Sequence, residues 1–287
     1  EGVGNQFFLN SWRIKSDGSL RNHGVEFISP AMPSKDAPKQ LAILYAWMDC
    51  IGAKPNFSWR TSIHTHVDCL HLPVEEFKKF LLLYLLFEDS LFQFAHPGRR
   101  ETNIFCTPIT RSNFYALEHF MLAESRKDLA LSLQEANAEV KKYSALNLNH
   151  LYDFGTIEFR HLRGTSDPKL IATWLDILLT LLQAAKRIPI KEIYEQISNL
   201  NTTSSYNKFT EDVFGEKLGA LLAFPGHFIA MSKGVSLTKE IISGNSLFRA
   251  IKPSPNSGLE KFIALQYKKE KKDPLLGKKP RVRIAEP

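Results

Sequence analysis

The stretch Ser62-Ile63-His64-Thr65-His66-Val67-Asp68 alternates polar and less polar side chains over seven residues. Successive side chains of an extended strand point to opposite faces, which puts His64, His66 and Asp68 on one face and Ile63, Thr65 and Val67 on the other. Two imidazoles and a carboxylate in a row are costly to bury unless something pairs them. Neighbours on one face lie about 7 Å apart, so His64 and His66 can converge on one metal ion. His64 and Asp68, about 13 Å apart, cannot both reach that ion unaided. Taken alone, His-x-His is as well explained by a solvated face or a paired set of histidines.

A second stretch, Thr156-Ile157-Glu158-Phe159-Arg160-His161-Leu162, follows the same logic. Glu158 and Arg160 share one face; Ile157, Phe159 and His161 share the other. An exposed pair of this kind contributes well under about 1 kcal/mol. The large apolar neighbours of Glu158 instead predict a central strand, where a desolvated carboxylate and guanidinium need a reason to be present. Metal and phosphate together supply one, since carboxylate oxygens suit Mg²⁺ and the guanidinium fork suits phosphate oxygens. A third candidate is Glu26, a single acid between Val25 and Phe27.

Outward from these strands, the pattern predicts an N-terminal hairpin with strands at 11–15 and 20–29 and a tight turn at Asp17-Gly18. Asp36 and Pro38 start a helix that stops at Gly52. A long strand is expected from Phe57 to Leu70, then a buried helix from Pro73 to about Ala95, ended by His96-Pro97-Gly98. Helical patterns cover 112–123 and 128–143, and a strand covers 155–162. Asp167-Pro168 opens a helix with an apolar face that includes Ile171, Trp174, Leu178 and Leu181. Shorter helices are expected near 191–200, 211–224 and 238–250, with a polar loop at 201–207. Strands and helices do not alternate regularly, so the fold class is α+β. One domain over residues 1–250 is expected, helical from about 187, followed by a basic and mobile tail over 251–287.

The length of 287 residues with 44% hydrophobic content excludes a disordered chain. The longest uninterrupted apolar run, Phe80 to Phe87, is too short to span a bilayer, which takes about 20 such residues. Three cysteines, Cys50, Cys69 and Cys106, without zinc or redox spacing suggest reduced thiols and a cytoplasmic address. The net charge of +7 is not spread evenly. From Ile251 onward, ten of the 37 Lys/Arg meet four of the 30 acids, so the tail carries +6 and the remaining 250 residues carry +1. By charge, the body is not a nucleic-acid surface. Basic and amide groups lie near the three polar strands: Arg99, Arg100 and Asn103, then Lys142, Tyr143 and Asn147, then Arg163. Positive loops over carboxylate-bearing strands suit a Mg-nucleotide. There is no Walker loop, dinucleotide fingerprint or kinase motif set, so a nucleotide site must be built on sheet carboxylates.

The succession Asp17-Gly18-Ser19-Leu20 with Gly24-Val25-Glu26, then Ser62 to Asp68, Arg99-Arg100 with Asn103, Tyr143-Ser144-Ala145-Leu146-Asn147 and Thr156-Ile157-Glu158-Phe159-Arg160 resembles the putative amidoligase family over roughly residues 11 to 186. That family is regarded as a compact relative of glutamine synthetases and glutamate-cysteine ligases. The resemblance implies a curled, mainly antiparallel sheet with helices on its outer face and Mg-ATP on the concave side. It implies phosphorylation of a substrate carboxylate by ATP and displacement of phosphate by an amine. Glu26 and Glu158 match the family's metal-binding acids, and His66, with His64 or Asp68 beside it, matches the metal and phosphate region. Arg160 matches the phosphate-contacting arginine, and Arg99 or Arg100 the loop arginine that meets phosphate or substrate carboxylate. Asn147 and Tyr143 join His64, His66 and Arg160 as nucleotide-binding candidates. Two departures stand out: Ile28 where many relatives carry a second acid, and Phe105 where a tyrosine is common.

Two other functions fit parts of the sequence. A metal-dependent hydrolase of the amidohydrolase kind also uses a His-x-His strand, but it needs further histidines and an aspartate at other strand ends. A non-enzymatic scaffold would bind an anionic partner, nucleic acid or a cell-wall precursor, through the basic tail. The expected partners of a ligase are small-molecule or polymer-borne carboxylates and amines, with the tail recruiting an anionic one.

Overall fold

The side-chain alternation of the two polar stretches is realised as a small antiparallel sheet laid on a buried helix. The structure is a computed structural model, and it describes residues 11–18, 20, 24–55, 57–58, 60–96, 103–109, 121, 123–125, 128 and 143–250, excepting the side chains of 152–153, 240 and 242–250. The expected helices at 112–123 and 128–143, Arg99, Arg100, Lys142 and the basic tail therefore lie outside, or almost wholly outside, the described residues. The chain divides into two compact units, Glu1–Ile241 and Ile242–Pro287, and the first holds both sheets and the helices packed on them.

Strands β1 (Arg13–Ser16) and β2 (Val25–Ile28) pair antiparallel, with Ser16 opposite Val25 and Lys15 opposite Glu26. The connection between them is closed by an Asp17 N–H to Gly24 carbonyl bond of 3.0 Å, and within it the Leu20 N–H bonds to the Asp17 carbonyl at 3.1 Å, a turn across Asp17-Gly18, so the strands pair only from Ser16 and Val25 outward. After α1 (Ala37–Cys50), Gly52 takes a φ of 69° and the chain leaves the helix, as its sequence predicts. Of the long strand expected over 57–70, only β3 (Thr65–Asp68) is continuous, with an isolated bridge from Ser62 to Arg163 beside it. Helix α2 (Val74–Ala95) follows. Beyond it come β4 (Leu146–Asn147), the one-turn α3 (His150–Asp153) and β5 (Thr156–Phe159).

β5 is the central strand of the order β3-β5-β4, with antiparallel pairing on both sides. The expected single curled sheet is thus corrected to two small separate antiparallel sheets that are not curled. The physical reason is length: strands of two to four residues accumulate little of the twist that bends a longer sheet.

The underside of β5 rests on α2. Ile157 and Phe159 are buried, and Phe159 meets the rings of Phe80 and Tyr84 at centroid distances of 6.1 and 6.3 Å. His161, just past the strand, is fully buried, with Tyr84 Oη 3.0 Å from its Nε2 and the Phe92 and Trp174 rings around it. Helix α4 (Pro168–Arg187) starts where Asp167 accepts the Lys169 N–H at 2.9 Å. Its length and composition would suffice to cross a membrane, yet its apolar face, including Trp174, Ile177, Leu178 and Leu181, is buried, and the helix packs on α2 and α1. The helical remainder is α5 (Ile190–Asn199), α6 (Thr203–Leu222) and α7 (His227–Ala250). The polar run at 201–207 is not a loop. Thr202 and Ser205 form a reciprocal cap, Ser205 N–H to Thr202 Oγ1 at 3.1 Å and Thr202 N–H to Ser205 Oγ at 3.2 Å, which starts α6.

Candidate active site on the upper face of the central strand

Glu158 points away from α2, and the register places His66 of β3 and Asn147 of β4 directly beside it. Its carboxylate is buried, with 4% of the side chain exposed, whereas the side chains around it are partly open: 43% for His66, 40% for Glu26 and 33% for His150. A covered anion inside a rim of reachable donors and acceptors is the plan of the site.

Each carboxylate oxygen has its own partners. Oε1 receives the Arg160 guanidinium at 2.8 Å, lies 3.1 Å from His64 Nδ1 and is 4.0 Å from His66 Nε2. Oε2 accepts from the Asn147 side-chain amide at 2.6 Å and is 3.7 Å from His150 Nε2. Burial by itself would raise the Glu158 carboxyl. The hydrogen bond from His64 and the charges of Arg160, His64 and His66 more than reverse that, and hold it at about 2. Glu158 is therefore ionised at neutral pH despite its burial. His66 is lowered as well, but for a different reason: burial disfavours its charged imidazole, with His150, His64 and Arg160 adding to the effect and Glu158 opposing it. A neutral imidazole is the form that binds metal.

The backbone explains why these groups meet. Gly155, immediately before β5, has a φ of 70°, and a Cβ there would come within 2.7 Å of Leu70 Cδ1. Only glycine lets the chain turn this close to the end of β3. A bond from Cys69 N–H to the Gly155 carbonyl, 2.8 Å, fixes the approach. His66 Nδ1 lies 3.2 Å from Thr156 Oγ1, which orients its ring, and His64 Nε2 lies 3.0 Å from Ser62 Oγ. Arg160 is anchored a second time through Nε to the Phe105 carbonyl at 3.2 Å. Phe105 in turn packs edge-on against Tyr143 at 5.1 Å and carries the Arg60 guanidinium 5.4 Å above its ring.

The structure therefore brings together Glu158, Arg160, His64, His66 and Asn147. Glu26 reaches the group from the other sheet, its Oε1 3.9 Å from His64 Nδ1. Tyr143 stands one layer away, against Phe105. Asp68 is placed elsewhere: on the exposed end of β3, it accepts the Leu70 N–H at 2.8 Å and closes a turn. Arg99 and Arg100 lie outside the described residues. His150 is a member that strand alternation does not select, although it is among the histidines the chain has available as further metal ligands. It sits on the one-turn helix between β4 and β5, where no strand or helix periodicity marks it. Its nearness in the chain to Asn147 and Glu158 was the available signal.

Chemically, the arrangement offers carboxylate oxygens, imidazole nitrogens and an arginine with spare donors on one surface. One nitrogen each from His66 and His150 and one Glu158 oxygen all lie within 4.8 Å of one another, a spacing that can hold a metal ion. By contrast His64 directs one ring nitrogen toward Glu158 and the other toward Ser62, and it does not belong to this closely spaced group.

A family model described as "putative amidoligase enzyme" matches residues 5–182, more than half of the chain. No curated protein and no solved structure gives a significant match.

Proposed function

The chain belongs to the family described as putative amidoligase enzymes, and on that premise we propose an ATP-consuming, Mg²⁺-dependent ligase that joins a carboxylate to an amine. The single observation that carries the proposal is the buried, ionised Glu158 bonded to Arg160 and bordered by imidazoles and a second acid. A desolvated ion pair of this kind adds little to stability, so its presence speaks for chemistry on phosphate and metal.

The donor set fits a divalent ion. Glu158 and Glu26 supply the hard oxygens that Mg²⁺ prefers, and both lie within 4 Å of His64 Nδ1. Bound there, the ion would neutralise phosphate oxygens and stabilise charge developing on a transferred phosphoryl group. The chain's own residues do the rest. Arg160 uses Nε and one terminal nitrogen for anchoring, and among the described residues its remaining N–H groups are left to meet an anion. Fixed in advance, those donors cost no reorganisation when charge builds up. Asn147 and His64 hold Glu158 in one rotamer and keep it anionic. In the proposed reaction the carboxylate substrate attacks the γ-phosphorus and ADP leaves. The amine then attacks the acyl phosphate, inorganic phosphate departs, and an amide remains.

Arg99 and Arg100 enter the proposal as the loop arginines that meet phosphate or substrate carboxylate. The basic segment from residue 251 would recruit an anionic or polymer-borne substrate by charge. Three free cysteines favour a reducing, cytoplasmic setting. The place of His64 outside the closely spaced group argues against the amidohydrolase alternative, whose signature needs both histidines of the pair on the ion.

Release of ADP against a panel of carboxylate and amine pairs, with mass detection of the amide, tests the proposal. One pair is expected to yield ADP and amide in equal amounts, with both lost in Glu158→Ala. Amide bond cleavage without ATP consumption would overturn the ligase in favour of a hydrolase.

A further inference from the structure

Mg²⁺ alone does not account for the donors gathered at Glu158. His66 from β3 and His150 from α3 approach different oxygens of the same carboxylate, at 4.0 and 3.7 Å, and their rings face each other at a centroid distance of 5.1 Å. Ligands that share an ion each lie about 2 Å from it, so no two can be more than about 4 Å apart. The 4.8 Å envelope of the three donor atoms is close to that bound, and modest side-chain rotation closes it. The supports of a metal site are already in place. His66 is oriented through Nδ1 by Thr156, and Glu158 is oriented by Arg160 and Asn147. The partly exposed imidazole rings leave one side open for further ligands, as in sites that act on a substrate.

Ligand type decides the ion. Mg²⁺ takes oxygen donors and gives up its water reluctantly, whereas two imidazoles with one carboxylate suit a first-row transition ion. We infer that His66, His150 and Glu158 bind one such divalent ion, of the Zn²⁺ or Co²⁺ kind, in preference to Mg²⁺, and that His150 is the ligand that sets the preference. This inference rests on the reading of the pocket as a metal site and adds a resident ion beside the Mg²⁺ that accompanies the nucleotide.

The full chain, stripped of metal by a chelator, is titrated with Co²⁺ while the visible absorption of nitrogen-bound cobalt is followed, and then with Mg²⁺ as competitor. The expected result is uptake of about one Co²⁺ per chain, weakened at least ~100-fold in His150→Ala and in His66→Ala. The same loss in His150→Gln separates the ligand from the local fold, and His71→Ala, at an exposed position after β3, leaves binding unchanged. Circular dichroism confirms that each variant is folded. Absence of cobalt absorption, equal affinity in wild type and His150→Ala, or displacement of Co²⁺ by equimolar Mg²⁺ would overturn the inference. ADP release is measured on the same samples. Cobalt bound as expected with no ADP from any substrate pair would keep the metal site and remove the ligase; ADP release without cobalt binding would do the reverse.

Discussion

The two faces of β5 are separated by one peptide, yet they obey different rules. On the lower face, Ile157 and Phe159 are buried against Phe80 and Tyr84, and the polar atoms admitted there form a short chain, His161 Nε2 3.0 Å from Tyr84 Oη and Tyr84 donating at 3.0 Å to the buried Glu88, which also accepts the Ile109 N–H. On the upper face, Glu158 is just as inaccessible but carries a full charge, with Arg160, His64 and Asn147 bonded to it and His66 and His150 at slightly longer range. The lower face stabilises the fold, and the upper face keeps a charge ready where apolar side chains of the same volume would serve stability at least as well. Substitutions on the two faces should therefore separate activity from stability.

The largest separation is expected from Glu158→Ala. ADP formation should fall more than ~10³-fold, as for the loss of a principal electrostatic group, while near-ultraviolet dichroism shows a folded chain. Trp174→Ala, in the core of the lower face, should lower the unfolding free energy by about 3–5 kcal/mol, with activity per folded molecule unchanged within about twofold at low temperature. Equal loss of activity per folded molecule in the two variants would erase the distinction between the faces. Next comes Arg160→Ala, expected to lower kcat roughly 10²-fold with a smaller effect on nucleotide affinity; an effect confined to affinity would assign Arg160 to binding alone.

A pH series on Glu158→Gln probes the charge of the upper face itself. The carboxyl is held at about 2 in the folded chain against an ordinary value of 4.5. A depressed carboxylate stabilises the fold above its unfolded value and loses that contribution as pH falls toward the folded one. The stability of wild type relative to Glu158→Gln should therefore fall by about 3 kcal/mol as pH drops from neutral through 4.5 to about 2, whatever the sign of the difference at neutral pH. Chemical denaturation across that window measures it, and a pH-independent difference would show that Glu158 is not held anionic by its neighbours. The smallest effect belongs to Asp68→Ala. Loss of its turn bond should cost about 1 kcal/mol and leave metal and nucleotide binding intact, whereas a metal ligand at Asp68 would make this variant resemble Glu158→Ala.

Strand alternation made the two faces legible before any coordinates, because a period of two fixes which side chains share a side wherever the backbone is extended. His64 and His66, and Glu158 and Arg160, are sorted as the alternation requires. The helix starts at Asp167-Pro168 and the stop at Gly52 were legible for similarly local reasons. Pairing partners were not, since they depend on contacts distant in sequence. The curled sheet gave way to two short ones, and the strand expected over 57–70 shrank to Thr65–Asp68. Asp68 shares a face with His66, but at the strand end its carboxylate finds the Leu70 N–H first. His150 stands out from the chain's other histidines only in the fold, because a one-turn helix has no period to read and its place beside Glu158 exists only once β4 and β5 are paired. The run at 201–207 looked like a loop because its polar residues are the cap of α6.

Whether the upper face of β5 holds a metal-nucleotide can be decided without knowing the carboxylate or the amine, by equilibrium dialysis of ATP against the full chain in the presence of divalent metal. Binding of about one nucleotide per chain is expected, lost on chelation and lost in folded Glu158→Ala. Binding that survives both treatments, or no binding by the wild-type chain, would show that Glu158 and its neighbours are not a metal-nucleotide site.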